Sequence, residues 1–158
     1  MSEGIPAAAV DQLRTAIEDE HGYLSWLGTT VDTVETGRIV LSVPYDEKLT
    51  NTTEPPTVHG GIAATLADTA GALVQRTVFE DPETGGIATI NLNINYLARV
   101  TNELTATAEV VRAGGSVGVS EMHIESPTDD GGTETVAVGQ GSFRLYRDGR
   151  PSEFHTGE

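Results

Sequence analysis

The sequence contains no cysteine. That excludes disulfides, thiolate-ligated zinc, iron–sulfur clusters and a thiol nucleophile, and leaves the compartment open. Lysine is almost absent: Lys48 is the single one, and the rest of the nine basic residues are Arg. No apolar run is long enough to span a bilayer. The first twenty residues hold several acids and one Arg, without the basic start and apolar centre of a secretory signal. The expectation is a cytoplasmic protein. At 158 residues the chain suffices for one domain around one core.

What the chain has in excess is acid. Its 24 Asp and Glu against nine bases give a formal net charge of -15. Such a surface repels nucleic acid and anionic lipid, so neither is an expected partner. The acids are spread through helix and strand segments, unlike a disordered acidic tail. Spread acid with almost no Lys reads as halophilic, because salt screens the self-repulsion.

No repeat, linker or low-complexity stretch interrupts the chain. Pro6 opens a first helix with Val10, Leu13 and Ile17 on one face, predicted to end near Gly22. Residues 1–25 are read as an N-terminal helical segment, 26–147 as the main domain and 148–158 as a polar tail, frayed from Arg147 on. Trp26, beside Leu24 and Leu27, is expected in the core. Two strands follow, 30–35 and 38–44, around Thr36-Gly37, then a loop from Lys48 to Thr57.

Val58 to Val78 has helical spacing at Ile62, Leu66 and Leu73. Its many small residues suit a central helix that other backbone approaches closely. After a loop come strands at 87–99, 104–112, 117–125 and 134–146, separated by glycine-rich turns. The order is α+β: one central helix and a large antiparallel sheet.

Three features could carry chemistry. His59-Gly60-Gly61 opens the central helix, and glycines leave the free amides there uncovered. Those amides and the helix dipole suit an anion, including an oxyanion that develops during attack on a carbonyl; a plain flexible helix entry fits the same residues. Asp68 lies on the helix among Ala64, Thr65, Gly71 and Ala72. A carboxylate over small apolar neighbours is partly desolvated, which favours basicity, and could act as general base or nucleophile. An ordinary solvated helix Asp is the alternative. The third is the strand Thr89-Ile90-Asn91-Leu92-Asn93-Ile94-Asn95. Alternation puts Thr89 and three Asn on one uncharged face, an interface or site wall, although Asn is disfavoured in strands. Thr89 could hold a water. His21, His123 and His155 show no metal-ligand spacing.

Nine residues separate His59 from Asp68. On a helix that is roughly 13.5 Å along the axis and about half a turn around it. The two cannot serve one reacting atom within one subunit. If both are functional, a two-fold homodimer has to bring the helix start of one subunit to the helix middle of the other.

The string from Val58 to Asp68 resembles the signature of the phenylacetate-pathway (PaaI-type) hot-dog thioesterases. Similarity continues in Leu24-Ser25-Trp26-Leu27-Gly28 and from Thr89 to Leu97, and covers about Leu24 to Tyr146. The resemblance implies a hot-dog fold, in which an antiparallel sheet wraps one central helix. It implies hydrolysis of a small or medium acyl-CoA with no metal or redox cofactor, and homodimers commonly paired into homotetramers. It makes Asp68 the base or nucleophile and Thr89 the residue that orients the water. His59, Gly60 and Gly61 polarise the thioester carbonyl from the partner subunit. Asn51 is the candidate for an Asn that precedes the His, although the intervening loop, with Glu54-Pro55-Pro56, is slightly long. Arg99 and Arg112 are the candidates for holding the CoA phosphates. The competing readings are a non-catalytic hot-dog module that binds acyl-CoA, and a hydratase, whose usual Asp/Glu–His pattern is not matched here.

Overall fold

The computed structural model of the protein describes residues 4–147. The expected tail at 148–158, with His155, lies outside the described residues. Helix α1 (Ala7–Arg14) continues as a π-helical segment, Thr15–Glu20, and is followed by α2 (Gly22–Trp26). The single helix expected to end near Gly22 is thus two helices, broken at His21. The His21 backbone is extended (φ -75, ψ 110), and its Nδ1 accepts the Leu24 amide at 3.2 Å, which caps α2.

The sheet contains β1 (Thr30–Glu35), β2 (Arg38–Val43), β3 (Gly86–Tyr96), β4 (Leu104–Ala113), β5 (Val117–Pro127) and β6 (Thr133–Tyr146). All pairings are antiparallel, in the order β1-β2-β4-β5-β6-β3. The long helix α3 (Gly60–Arg76) packs against β2, β3, β4, β5 and β6, so the sheet wraps it. This is the expected α+β layout.

Alternation explains why one sheet face meets α3. Ile39, Leu41 and Val43 of β2, Ala106 and Ala108 of β4, and Met122 and Ile124 of β5 are buried against Leu66, Ala67, Ala70 and Val74 of α3. Each large apolar side chain so buried contributes about 1.5–3 kcal/mol. The small residues of α3 set the approach: a Cβ on Gly71 would lie 2.8 Å from Met122 Sδ and 2.9 Å from Phe143 Cζ. A buried polar tie fixes the register of helix on sheet. Gln75 Nε2 donates to the Val119 carbonyl (2.9 Å) and to Ser120 Oγ (2.8 Å), and Ser120 Oγ donates to the Gly71 carbonyl (2.8 Å).

The two sheet edges differ. At β1 the Glu18 carboxylate accepts the Val31 amide (2.8 Å) and Arg14 Nε donates to the Val31 carbonyl (3.2 Å). The N-terminal helices thus blunt that edge. At β3 the outer edge faces no other strand among the described residues, and Ile90, Tyr96 and Leu97 are exposed there.

Three local expectations are corrected. Trp26 is 52% exposed, with Lys48 Nζ 4.4 Å from its ring centroid; α2 turns Leu24 and not Trp26 to the core. Arg147 is anchored: its guanidinium donates to the Gly114 carbonyl at 2.7 Å and lies over the Phe79 ring. In β3 the register slips between Thr89, which faces Phe143, and Asn91, which faces Ser142, so Ile90 is a bulge. Past it Leu92 and Ile94 pack on the core, while Asn91, Asn93 and Asn95 line an outer groove with Glu121, His123 and Gln140. Thr89 turns the other way, toward α3. The single face expected for Thr89 and the three Asn is therefore split in two.

Candidate active site

The site is built on α3 and the two segments that flank its start. Before the helix, the Val58 amide bonds the Val100 carbonyl and the His59 amide bonds the Leu49 carbonyl, both at 2.8 Å. His59 is the N-cap, extended at φ -59 and ψ 132. Its side chain folds back so that Nδ1 accepts the Gly61 amide at 2.8 Å. The Ile62 amide bonds the His59 carbonyl at 2.9 Å. Of the first four amides of α3, those of Gly60 and Ala63 make no hydrogen bond among the described residues, and Gly60 is the one at the very start. A helix start normally leaves four donors open; here a side chain and a carbonyl reduce them to two, of which Ala63 is buried.

The two glycines are small for different reasons. A Cβ on Gly61 would sit 2.8 Å from His59 Nδ1, so the imidazole could not cap the helix. A Cβ on Gly60 would sit 3.2 Å from Tyr96 Cε1, because that ring lies against it. The Tyr96 hydroxyl donates to the Gly60 carbonyl at 2.7 Å. Sequence reasoning missed Tyr96. It had no local signal, since its partner is 36 residues away and a Tyr suits any strand end.

A cavity of about 160 Å³ opens at this end of α3. Asn51, His59, Gly60, Tyr96 and Arg99 all line it. Asn51 is held by a 2.8 Å bond from its amide to the Thr57 carbonyl, across the loop that precedes the helix. Four of the residues singled out from sequence thus meet here. Arg112 does not. It is exposed near the far end of β4, where its carbonyl faces Gln75 at the C-terminal part of α3.

Asp68 lies two helical turns beyond Gly60 and is not part of that cavity. It is half-buried, and Thr89 Oγ1 donates to its Oδ1 at 2.7 Å. The bulge at Ile90 is what points Thr89 at the helix. With its proton committed to Asp68, the hydroxyl keeps lone pairs to accept a bond from water, and Asp68 keeps Oδ2. One turn back, Thr65 Oγ1 donates to the Gly61 carbonyl (3.0 Å), so its bond with the Tyr23 hydroxyl (2.9 Å) has Tyr23 as donor. Tyr23, 47% exposed, therefore sits next to the Asp68 face of α3. Among the described residues no group of three or more His, Asp or Glu is arranged to hold a metal ion.

A long helix wrapped by a six-stranded antiparallel sheet is the hot-dog fold. The Thioesterase superfamily profile matches residues 56–133, which include Gly60, Asp68 and Thr89. A Halobacterium salinarum protein that is an esterase by name is 48% identical over 133 residues, 82% of this chain and 88% of its own. A second esterase by name, from Saccharolobus solfataricus, is 32% identical over 115 residues, 72% of this chain and 77% of its own. The crystal structure of a thioesterase family protein from Silicibacter pomeroyi superposes with a TM-score of 0.77 at 24% identity, over 88% of this chain and 98% of that one, which concerns the fold. The chain belongs to the thioesterase superfamily.

Proposed function

We propose that the protein hydrolyses a small or medium acyl-CoA to the free acid and CoA, in the manner of the PaaI-type enzymes, at sites shared between the two subunits of a homodimer. The observation that carries this reading is the pairing of Asp68 with Thr89 at 2.7 Å on the same helix whose first amide, Gly60, is open. Eight residues of α3 separate the two, roughly 12 Å of rise, too far for one carbonyl to reach both. A two-fold partner that pairs along the open β3 edge would place its own Asp68 opposite Gly60.

In that site the thioester carbonyl oxygen accepts from the Gly60 amide, which with the helix dipole stabilises the charge that develops there. Asp68 of the other subunit takes the proton of a water that Thr89 orients, or attacks the carbonyl itself. Gly61 serves as the anchor for His59 rather than as a donor, since its amide is already engaged. Asn51 and Arg99 line the cavity beside Gly60, which suits them to the thioester arm and a CoA phosphate; Arg112, at the far end of β4, suits a phosphate less well. With a net charge of -15, polyanionic CoA needs such a local cation and screening by salt, which agrees with a halophilic, cytoplasmic setting.

A thiol-release assay over straight-chain and aromatic acyl-CoAs in concentrated KCl tests the reading. Release that disappears in Asp68→Asn is the expected result. Saturable acyl-CoA binding with no release from any substrate would replace it with the binding-module reading.

A further inference from the structure

The open amide of Gly60 is only useful as an oxyanion donor if the residue is held still, and glycine is the residue least able to hold itself. Nothing in the reading above fixes it. The His59 cap acts on the next amide, and α3's own ladder begins with the Gly60 carbonyl. The ring of Tyr96 lies against the side of Gly60 where a side chain would stand, so that an added Cβ would meet Cε1 at 3.2 Å and Cζ at 3.3 Å. The hydroxyl of the same ring donates to the Gly60 carbonyl at 2.7 Å. Carbonyl oxygens have two lone pairs, so this bond adds to the helical one.

We infer that Tyr96 is a positioning residue for hydrolysis: it clamps Gly60 at the ring and at the carbonyl, and so fixes the direction of the open Gly60 amide at the helix start. Tyr96 comes from the last position of β3, the edge strand, and the clamp therefore ties the oxyanion donor to the strand edge on which the proposed dimer forms. The hydroxyl does no chemistry on the substrate. Its proton is committed to a backbone carbonyl, and the residue acts through Gly60.

The inference rests on the proposed thioester hydrolysis, and its test separates the two. Tyr96→Phe removes the hydroxyl and keeps the ring against Gly60. Steady-state thiol release is measured together with the Gly60 resonance of protein labelled with ¹⁵N-glycine. The expected result is a kcat about tenfold lower with KM within about twofold of wild type, as for a donor that is present but misdirected, a retained thermal midpoint, and a shifted or broadened Gly60 amide peak. Incorporation of 3-fluorotyrosine at position 96, which keeps the hydroxyl as a donor, restores kcat. An unchanged kcat in Tyr96→Phe, a loss confined to KM, or an unmoved Gly60 peak overturns the clamp. Wild-type protein that releases no thiol from any acyl-CoA overturns the hydrolytic reading instead, and the donor role of Gly60 with it, whatever the Gly60 peak does.

Discussion

The hydroxyl of Thr89 donates to Oδ1 of Asp68 over 2.7 Å, which joins the edge strand of the sheet to the middle of its central helix. The pair is intramolecular, and it sits about two turns from the helix start that it is proposed to serve in the other subunit. That separation makes the predictions specific to subunit as well as to residue.

Asp68→Asn is isosteric and removes the base or nucleophile. We predict that kcat falls at least about a thousandfold, with secondary structure and the sedimentation behaviour of the wild type retained. Wild-type turnover in this variant would refute the role of Asp68.

Thr89→Ala keeps the carboxylate but frees its Oδ1 and leaves the water unplaced. A hydrogen bond to a charged group contributes about 1.5–3 kcal/mol, so the predicted loss in kcat is about ten- to a hundredfold. Thr89→Ser should recover most of it. A serine variant as slow as the alanine one would mean that the methyl group, and not the hydroxyl, matters.

Gly60→Pro tests the backbone donor directly. Proline is favoured at the first position of a helix, and His59 before it is already in the extended region that proline demands, at φ -59 and ψ 132. The ring has to be accommodated by a small shift of Tyr96. With the N–H gone, kcat should drop about a hundredfold or more. Mixing this protein with Asp68→Asn under conditions that exchange subunits should regain activity. Each heterodimer then holds one intact site, and the mixture reaches about a quarter of wild-type activity. Two inactive proteins that stay inactive after exchange would count against shared sites.

Much of this was legible in the sequence, and the exceptions have physical causes. The Ala-rich segment after His-Gly-Gly announced the central helix because its small residues recur at helical spacing, and the alternating runs announced the sheet. The direction of Thr89 was not legible. Alternation through Thr-Ile-Asn-Leu-Asn carries no mark of a bulge at Ile90, since every residue there suits a strand. Trp26 departs from the expected core because α2 and its C-cap turn Leu24 and Leu27 of the Leu-Ser-Trp-Leu run inward, which leaves Trp26 on the outer side. The division of labour between the two glycines depends on the side chains of His59 and Tyr96, one local and one distant.

Gly71→Ala would be predicted to stabilise an isolated helix by about 1 kcal/mol. Here the added methyl meets Met122 Sδ at 2.8 Å and Phe143 Cζ at 2.9 Å, both buried. Overpacking costs about 1–3 kcal/mol, so the net effect is a lower midpoint in thermal unfolding. A raised midpoint would show that α3 lifts off the sheet at little cost.

Ion pairs between side chains that resolve within 4 Å involve only Arg14 and Arg38 among the described residues, and each partner is exposed. Most of the acids among the described residues are thus offset by no base nearby. Raising KCl from about 0.1 M to 3 M, across which the screening length shrinks to a few Å, should raise the unfolding midpoint. A midpoint that does not move would argue against a halophilic protein.

The extra residue at position 90 has a consequence for how this site can change. Substitution can alter what Thr89 and Asn91 are, but not which side of the strand each one serves. Deleting Ile90 would leave Thr89 and Asn91 as neighbours in plain alternation, each on the side it now serves, whereas an unbulged strand that kept Ile90 would turn the Thr89 hydroxyl outward. The wiring of the site therefore survives the loss of that residue, and a comparison with a strand one residue shorter, aligned letter by letter without a gap, will pair the wrong side chains.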